Sequence, residues 1–246
     1  MKRILKKIAK KLLSKIKLQN LNRKNNLLSN FYSILKTQQF EPKFIYDIGA
    51  HKGTWTTECM KYFPNAHYIL FEPQPDLRLE IENELFGKKN YTLFSLGVGN
   101  NDGQLLFTYQ DRADSCTFNM SEKEAMEKGF KQLKTPIVKL DSFVKLEKLP
   151  KPEILKIDAE GIDLDVLDGA SELLNESVEI VLVEVAILNN FFQNSALNVL
   201  NYMDKANFKL FDITDLNRPF KNGVLWLCEF VFIKKNGKLD KDYSTI

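Results

Sequence analysis

Cysteine is scarce in this chain: Cys59, Cys116 and Cys228 stand alone, with no CxxC pair. That excludes a disulfide framework and a thiolate zinc knuckle, and a reducing cytoplasm is the simplest compartment. Histidine is scarcer still, with only His51 and His67, so a His-rich metal site has no material. No apolar stretch reaches the length of a transmembrane span. The first forty residues contain no acid at all, the first carboxylate being Glu41. What is present, 44% hydrophobic and 27% charged residues over 246 positions, is the composition of a globular protein with a sizeable core.

The absence of acid in that first stretch reveals a divided charge. Residues 1–40 carry eleven Lys and Arg, leaving 24 basic against 32 acidic residues in the remainder, so the net +3 combines an arm at +11 with a body at −8. In residues 2–17, Ile4, Leu5, Ile8, Leu12, Leu13 and Ile16 recur at helical spacing among lysines. Lysines interrupt every candidate signal-peptide core and no small-residue cleavage site follows. Residues 1–19 are therefore expected to form a basic amphipathic helix that docks on an anionic membrane face, on a partner, or on the chain's own acidic body. A linker at Asn20 to Asn26 and a second short helix, with Leu27, Phe31, Ile34 and Leu35 on one face, complete the arm. No base-reading or stacking module accompanies the arm, so nucleic acid is not expected as a partner. The division is an arm at 1–40 and a domain at 41–246.

From Lys43 onward, short apolar runs alternate with helical patterns, which predicts an α/β fold around a mostly parallel sheet. Strands are expected at Phe44 to Ile48, Tyr68 to Phe71, Tyr91 to Leu96, Ile154 to Ile157, Glu179 to Val185, Lys209 to Ile213 and Leu225 to Ile233, with Leu105 to Phe107 as a further strand or hairpin. Helices are expected at Thr54 to Tyr62, Asp76 to Phe86, Asp163 to Leu174 and Ser195 to Ala206. Only a turn-rich segment joins the last two strands, so they are antiparallel neighbours. Residues 110–134 read as an irregular polar insertion.

Asp47-Ile48-Gly49-Ala50-His51-Lys52-Gly53 falls where the first strand gives way to a helix, a position where glycines let backbone approach a ligand and helix N–H groups are free. Twenty-three residues past Gly49, Glu72 ends the second strand within Phe-Glu-Pro, where a carboxylate accepts hydrogen bonds from both hydroxyls of a ribose. Loop and acid together make a nucleoside-binding layout. A dinucleotide loop carries three glycines, and this one has two. Its opening acid, Asp47, suits a cationic ligand group such as the ammonium of a methionine moiety, and an antiparallel last strand is how methyltransferase sheets end.

Downstream runs Lys156-Ile157-Asp158-Ala159-Glu160-Gly161, followed by Leu167, Gly169 and Ala170. With the Asp47 to Gly53 loop, Phe71 to Pro73, Leu140-Asp141 and Glu184, the chain resembles the FkbM-type S-adenosylmethionine-dependent methyltransferases over residues 43–233. His51 stands where that family often has Asn. The resemblance implies a Rossmann-like class I methyltransferase, with a seven-stranded sheet and an antiparallel last strand, usually acting on oxygen in glycan or natural-product tailoring. Cofactor contacts are then expected from Asp47, Gly49, Ala50, His51, Gly53 and Glu72, and near the adenine from Gly97 and Asn100.

A hydroxyl acceptor needs a general base or a metal to help remove its proton. Asp158 and Glu160 sit at the carboxyl end of a central strand, where open α/β sheets build their sites, and Glu184 ends the next strand. Asp158 is the expected catalytic centre, with Glu160 as its partner. Three converging carboxylates repel one another, so either a divalent cation, magnesium or manganese, held by Asp158, Glu160 and Glu184, or the Lys156 ammonium must balance them. The acceptor expected is a sugar or glycan intermediate, met in the cytoplasm or at the inner membrane face. A nicotinamide-dependent oxidoreductase and a non-catalytic binding module are the alternatives. Trp55, Trp226 and the insertion residues Asp111, Arg112, Asp114 and Ser115 are candidate acceptor contacts.

Overall fold

The computed structural model describes residues 27–111, 116–188 and 193–241. The basic helix expected in residues 2–17, and Arg112, Asp114 and Ser115, lie outside them. Among the described residues, seven strands form the main sheet: β1 (Phe44–Ile48), β2 (His67–Phe71), β3 (Tyr91–Phe94), β7 (Ile154–Ile157), β8 (Ile180–Ala186), β9 (Phe208–Asn217) and β10 (Leu227–Lys234). Their spatial order is β3-β2-β1-β7-β8-β10-β9, and only β10 runs against its neighbours. The order reverses direction between β1 and β7, the switch point where the loops at the carboxyl ends diverge and leave a crevice.

The strands are apolar on both faces because helices cover both. Tyr46, Ile48, Leu155, Ile157, Val181 and Val183 point to one face, against α5 (Leu140–Leu146), α6 (Asp163–Gly169), α7 (Ser171–Glu176) and α8 (Ala196–Lys205). Ile45, Tyr68, Leu70, Ile154, Ile180 and Leu182 point to the other, against α1 (Leu27–Thr37), α2 (Thr54–Tyr62) and α3 (Arg78–Glu84). α1 buries Phe31, Tyr32 and Leu35; Ile34, expected on the same face, is exposed because Tyr32 takes the inward position. Ser29 contacts Glu58 and, two turns on, the Lys36 ammonium lies over the Phe63 ring, so α1 runs alongside α2 in the same sense. Its first turn therefore lies toward the carboxyl edge of the sheet. The helix expected over Asp163 to Leu174 breaks at Ala170 into α6 and α7. Asp141 drives the break by accepting the N–H groups of Glu172 and Leu173, at 2.9 and 3.1 Å, and so caps α7.

The described parts of segment 110–134, expected to be irregular, are instead regular: they hold a helix and the start of a strand. β4 (Gly97–Gly99), β5 (Gly103–Tyr109) and β6 (Lys131–Lys139) form a second sheet in the order β4-β6-β5, with α4 (Glu122–Lys128) between β5 and β6. Sequence marks only β5, at Leu105 to Phe107; β6 is lysine-rich with only Thr135 and Ile137 buried, and β4 is only three residues long. Gly169 of α6 allows the second sheet to dock: a Cβ there would stand 2.0 Å from the Gly99 carbonyl oxygen. Among the described residues, no helix is long and apolar enough to cross a membrane.

Candidate active site

At the switch point the chain leaves β1 through Gly49, whose φ is +74°. A Cβ at Gly49 would lie 1.8 Å from the Asp158 carbonyl oxygen, so only glycine allows the loops after β1 and β7 to meet. The N–H groups of Gly49 and Ala50 both donate to the Phe71 carbonyl, at 2.9 and 3.0 Å, which ties this loop to the end of β2. His51 is also left-handed, at φ +48°, and its N–H donates to Glu72 Oε2 at 2.7 Å. The Gln74 N–H donates to Glu72 Oε1 at 2.9 Å. Each Glu72 oxygen thus accepts one backbone N–H, and the Gln74 side chain adds a further hydrogen bond to the carboxyl. Burial pushes the Glu72 carboxyl up to about 7, against the pull of those two N–H groups.

Gly49, His51, Glu72 and Gly97 line a cleft of about 610 Å³, counting the space open to solvent, and Asp158 and Glu160 line its other side. Leu96, Val98, Phe107 and Phe118 supply an apolar wall, much of it from the second sheet. Ala50 and Gly53 are buried behind the loop, Gly53 passing within contact distance of Ile81 of α3. Asn100 lies outside the cleft, exposed, and donates to Asp165 at 2.9 Å.

Asp47 is fully buried beneath the loop and does not line the cleft. Thr56 Oγ1 donates to its Oδ2 at 2.6 Å, and its Oδ1 pairs with Lys156 Nζ at 3.3 Å. The sequence expectation of a ligand ammonium beside Asp47 meets an ammonium already present in the protein. Lys156, 5% exposed, also donates to the Gly49 carbonyl at 3.0 Å and approaches Asp158 Oδ2 at 3.4 Å. Burial works to lower its pKa, but Asp47, Asp158 and Glu229 outweigh it and hold the ammonium well above the usual lysine value.

Strand register explains the gathering of acids. Lys156 pairs with Leu182 and Asp47 with Lys156, while Glu229 faces Glu184, so Asp158, Glu184 and Glu229 follow one another at the carboxyl edge on a single face. Burial, then Asp158 and Asp163, push Glu160 up to about 9; burial, then Asp158, Asp163 and Glu160, push Glu184 up to about 10. Burial also raises Glu229 to about 7, although Thr214 donates to it. Asp163 is a hub of the loop after β7: it accepts the N–H groups of Ala159 at 2.8 Å and Gly161 at 3.3 Å, and Asn194 Nδ2 at 3.0 Å.

The metal expectation is corrected here. Among the described residues no three His, Cys, Asp or Glu side chains are gathered as metal ligands, and Asp158, Glu160 and Glu184 form no such set. Lys156 supplies the positive charge beside Asp158, and burial with the neighbouring carboxylates raises Glu160 and Glu184 well above the usual carboxylate range. Asp163 follows the Lys156 to Gly161 motif in the sequence, whereas Glu229 and Asn194 carry no sequence signal. Glu229 lies inside the apolar strand LCEFVFIK, and only its pairing with Glu184 brings it to the site. Trp55 and Trp226 are half-buried and line no part of the cleft; Trp226 packs on Phe220. His67 opens β2 and contacts Thr92 across to β3 at 3.0 Å.

An open, mostly parallel α/β sheet whose switch-point crevice is lined by Glu72 at the end of β2 and by an acidic loop after β7 is the class this architecture defines. Residues 47–210 match the Methyltransferase FkbM domain, and the chain belongs to that family. It is 29% identical over 154 residues to hexuronic acid methyltransferase AglP of Haloferax volcanii, covering 62% of this chain and 59% of that one. It is 25% identical over 163 residues to methyltransferase 1 of Beauveria bassiana, covering 59% and 65% respectively. The chain thus spans about three fifths to two thirds of the length of these curated relatives. The methyltransferase FkbM structure from Methylobacillus flagellatus shares the fold, with a TM-score of 0.52 at 15% identity over 77% of this chain and 43% of that one.

Proposed function

We propose that this protein transfers the methyl group of S-adenosylmethionine to a hydroxyl of a sugar or glycan intermediate. The observation that carries the reading is a single cleft lined on one side by Gly49 and Glu72 and on the other by Asp158 and Glu160. The cofactor fits the residues present: the Glu72 carboxyl, fixed at the cleft by backbone N–H groups, can accept from ribose hydroxyls, and the left-handed Gly49 brings bare backbone to the cleft. Gly97 and the apolar wall suit an adenine. When bound, S-adenosylmethionine supplies an electrophilic methyl carbon, and transfer requires the acceptor oxygen in line with it.

Asp158, 40% exposed and beside the Lys156 ammonium, is the group placed to accept the acceptor's hydroxyl proton. Glu160, neutral at pH 7, donates a hydrogen bond rather than competing as a base. Lys156 is locked to Asp47 and to the Gly49 carbonyl, and its task is to hold charge balance between the two loops. The sugar acceptor is supported by the relative whose name specifies a hexuronic acid. Calorimetry tests the reading: S-adenosylhomocysteine is expected to bind, and tight binding of NAD(P) with none of S-adenosylhomocysteine overturns it. Labelled methyl donor with fractionated host glycans then identifies the acceptor. We further propose that the basic residues 1–19 dock on an anionic membrane face or partner; equal pelleting on anionic liposomes with and without them removes that idea.

A further inference from the structure

The short segment after β5 makes contacts that no part of the cofactor reading requires. The backbone of Thr117 exchanges two hydrogen bonds with Thr108 of β5, at 2.8 and 3.1 Å, which pins the segment to the second sheet. Gln132 of β6 reinforces the pin by donating to both Thr108 Oγ1 and the Met120 carbonyl. The Thr117 side chain makes different contacts: its hydroxyl donates to the Glu160 carbonyl at 2.8 Å and accepts the Asn119 N–H at 3.1 Å. Asn119 Nδ2 donates to the Gly161 carbonyl at 2.9 Å. Phe118, between the two, lines the cleft with its ring 4.6 Å from that of Phe107.

The two carbonyls so held belong to residues in an unfavourable conformation. Glu160 is left-handed at φ +52°, which a residue with a side chain adopts only when its surroundings impose it, and Gly161 follows at φ +102°. A Cβ at Gly161 would meet Asn119 Nδ2 at 2.1 Å, so glycine is what lets this contact form. The acidic loop is thus gripped from within by Asp163, which takes the N–H groups of Ala159 and Gly161, and from outside by Thr117 and Asn119, which take the carbonyls.

We infer that Thr117 and Asn119 are positioning residues that hold the left-handed backbone at Glu160 and so keep its carboxyl in the cleft. The same two residues flank Phe118, which stands in the wall of the cleft, so the second sheet shapes both sides of the site. The catalytic consequence rests on the methyltransferase reading; the structural one does not.

The test uses the full-length chain carrying T117V with N119A, compared with wild type by amide hydrogen exchange and by steady-state kinetics. Exchange at residues 160–162 is expected to rise about tenfold or more, with the β4-β6-β5 sheet unchanged because the Thr108 backbone pairing remains. kcat is expected to fall about tenfold while KM for S-adenosylmethionine moves less than about threefold, and T117S alone is expected to recover most of kcat. Unchanged exchange at 160–162, or faster exchange spread over the whole second sheet, overturns the inference. So does a loss confined to KM. If wild type neither binds S-adenosylhomocysteine nor methylates any acceptor, the methyltransferase reading fails and the exchange result alone decides the strap.

Discussion

The two sides of the cleft solve opposite problems. On the β1–β2 side, Gly49, Ala50, His51 and Glu72 are cross-linked through backbone N–H groups, and the carboxyl of Glu72 has a specific donor on each oxygen. On the β7–β8 side, strand register brings Asp158, Glu184 and Glu229 together and the loop after β7 adds Glu160, with one buried ammonium among them and the carboxyls of Glu160, Glu184 and Glu229 pushed up by burial. The first side is a preorganised receptor for donors. The second stores electrostatic tension, which suits proton transfer and costs stability.

Breaking the second side at its centre has the largest expected effect. D158N is expected to lower kcat by about 10³-fold while the Kd for S-adenosylhomocysteine stays within about threefold, measured by single-turnover methylation and calorimetry. Unchanged turnover on an identified acceptor would show that the base lies elsewhere. K156M removes the shared cation and leaves Asp47 buried and unpaired; a loss of about 3–5 kcal/mol in denaturant stability is expected, with both loops affected at once. E72Q confines damage to the first side: about 10- to 100-fold weaker S-adenosylhomocysteine binding, with little change in melting temperature.

The smallest effect, E184Q, sharpens the contrast through pH. Glu184 is raised in the folded state to about 10 from an ordinary value of 4.5, so its stabilising contribution is complete below about pH 4.5 and is lost as pH rises through 10. Between those limits the folded state binds more protons than the unfolded chain, and raising the pH destabilises. E184Q is therefore expected to flatten the fall of Tm between pH 5 and 9, and to exceed wild type by about 3 °C or more at pH 9. A parallel decline in both proteins would show that Glu184 ionises freely.

Much of this contrast was legible in the sequence. The strand-end acids, the glycine loop and the antiparallel last strand announce themselves because each is set by local chain geometry. What escaped depends on who sits beside whom. Asp47 looks like a ligand contact until Lys156 of the adjacent strand is placed against it. Asn100 follows the right strand but turns away to Asp165. Of the second sheet only β5 shows in the sequence, through Leu105 to Phe107; β6 is lysine-rich and β4 very short, so hydropathy does not mark them. Leu140-Asp141 was recognised as a pattern, and the structure gives it a task far from chemistry, as the cap of α7.

The contact of Gly169 with the Gly99 carbonyl leaves no room for adjustment. Helix and strand meet there with no side chain between them, so the seam between the two sheets has no compressible filler. Anything that rotates α6 must carry β4 with it, and β4 begins with Gly97, which lines the cleft. A methyl group added at position 169 would therefore be felt as a change in the width of a binding site to which residue 169 itself contributes no atom.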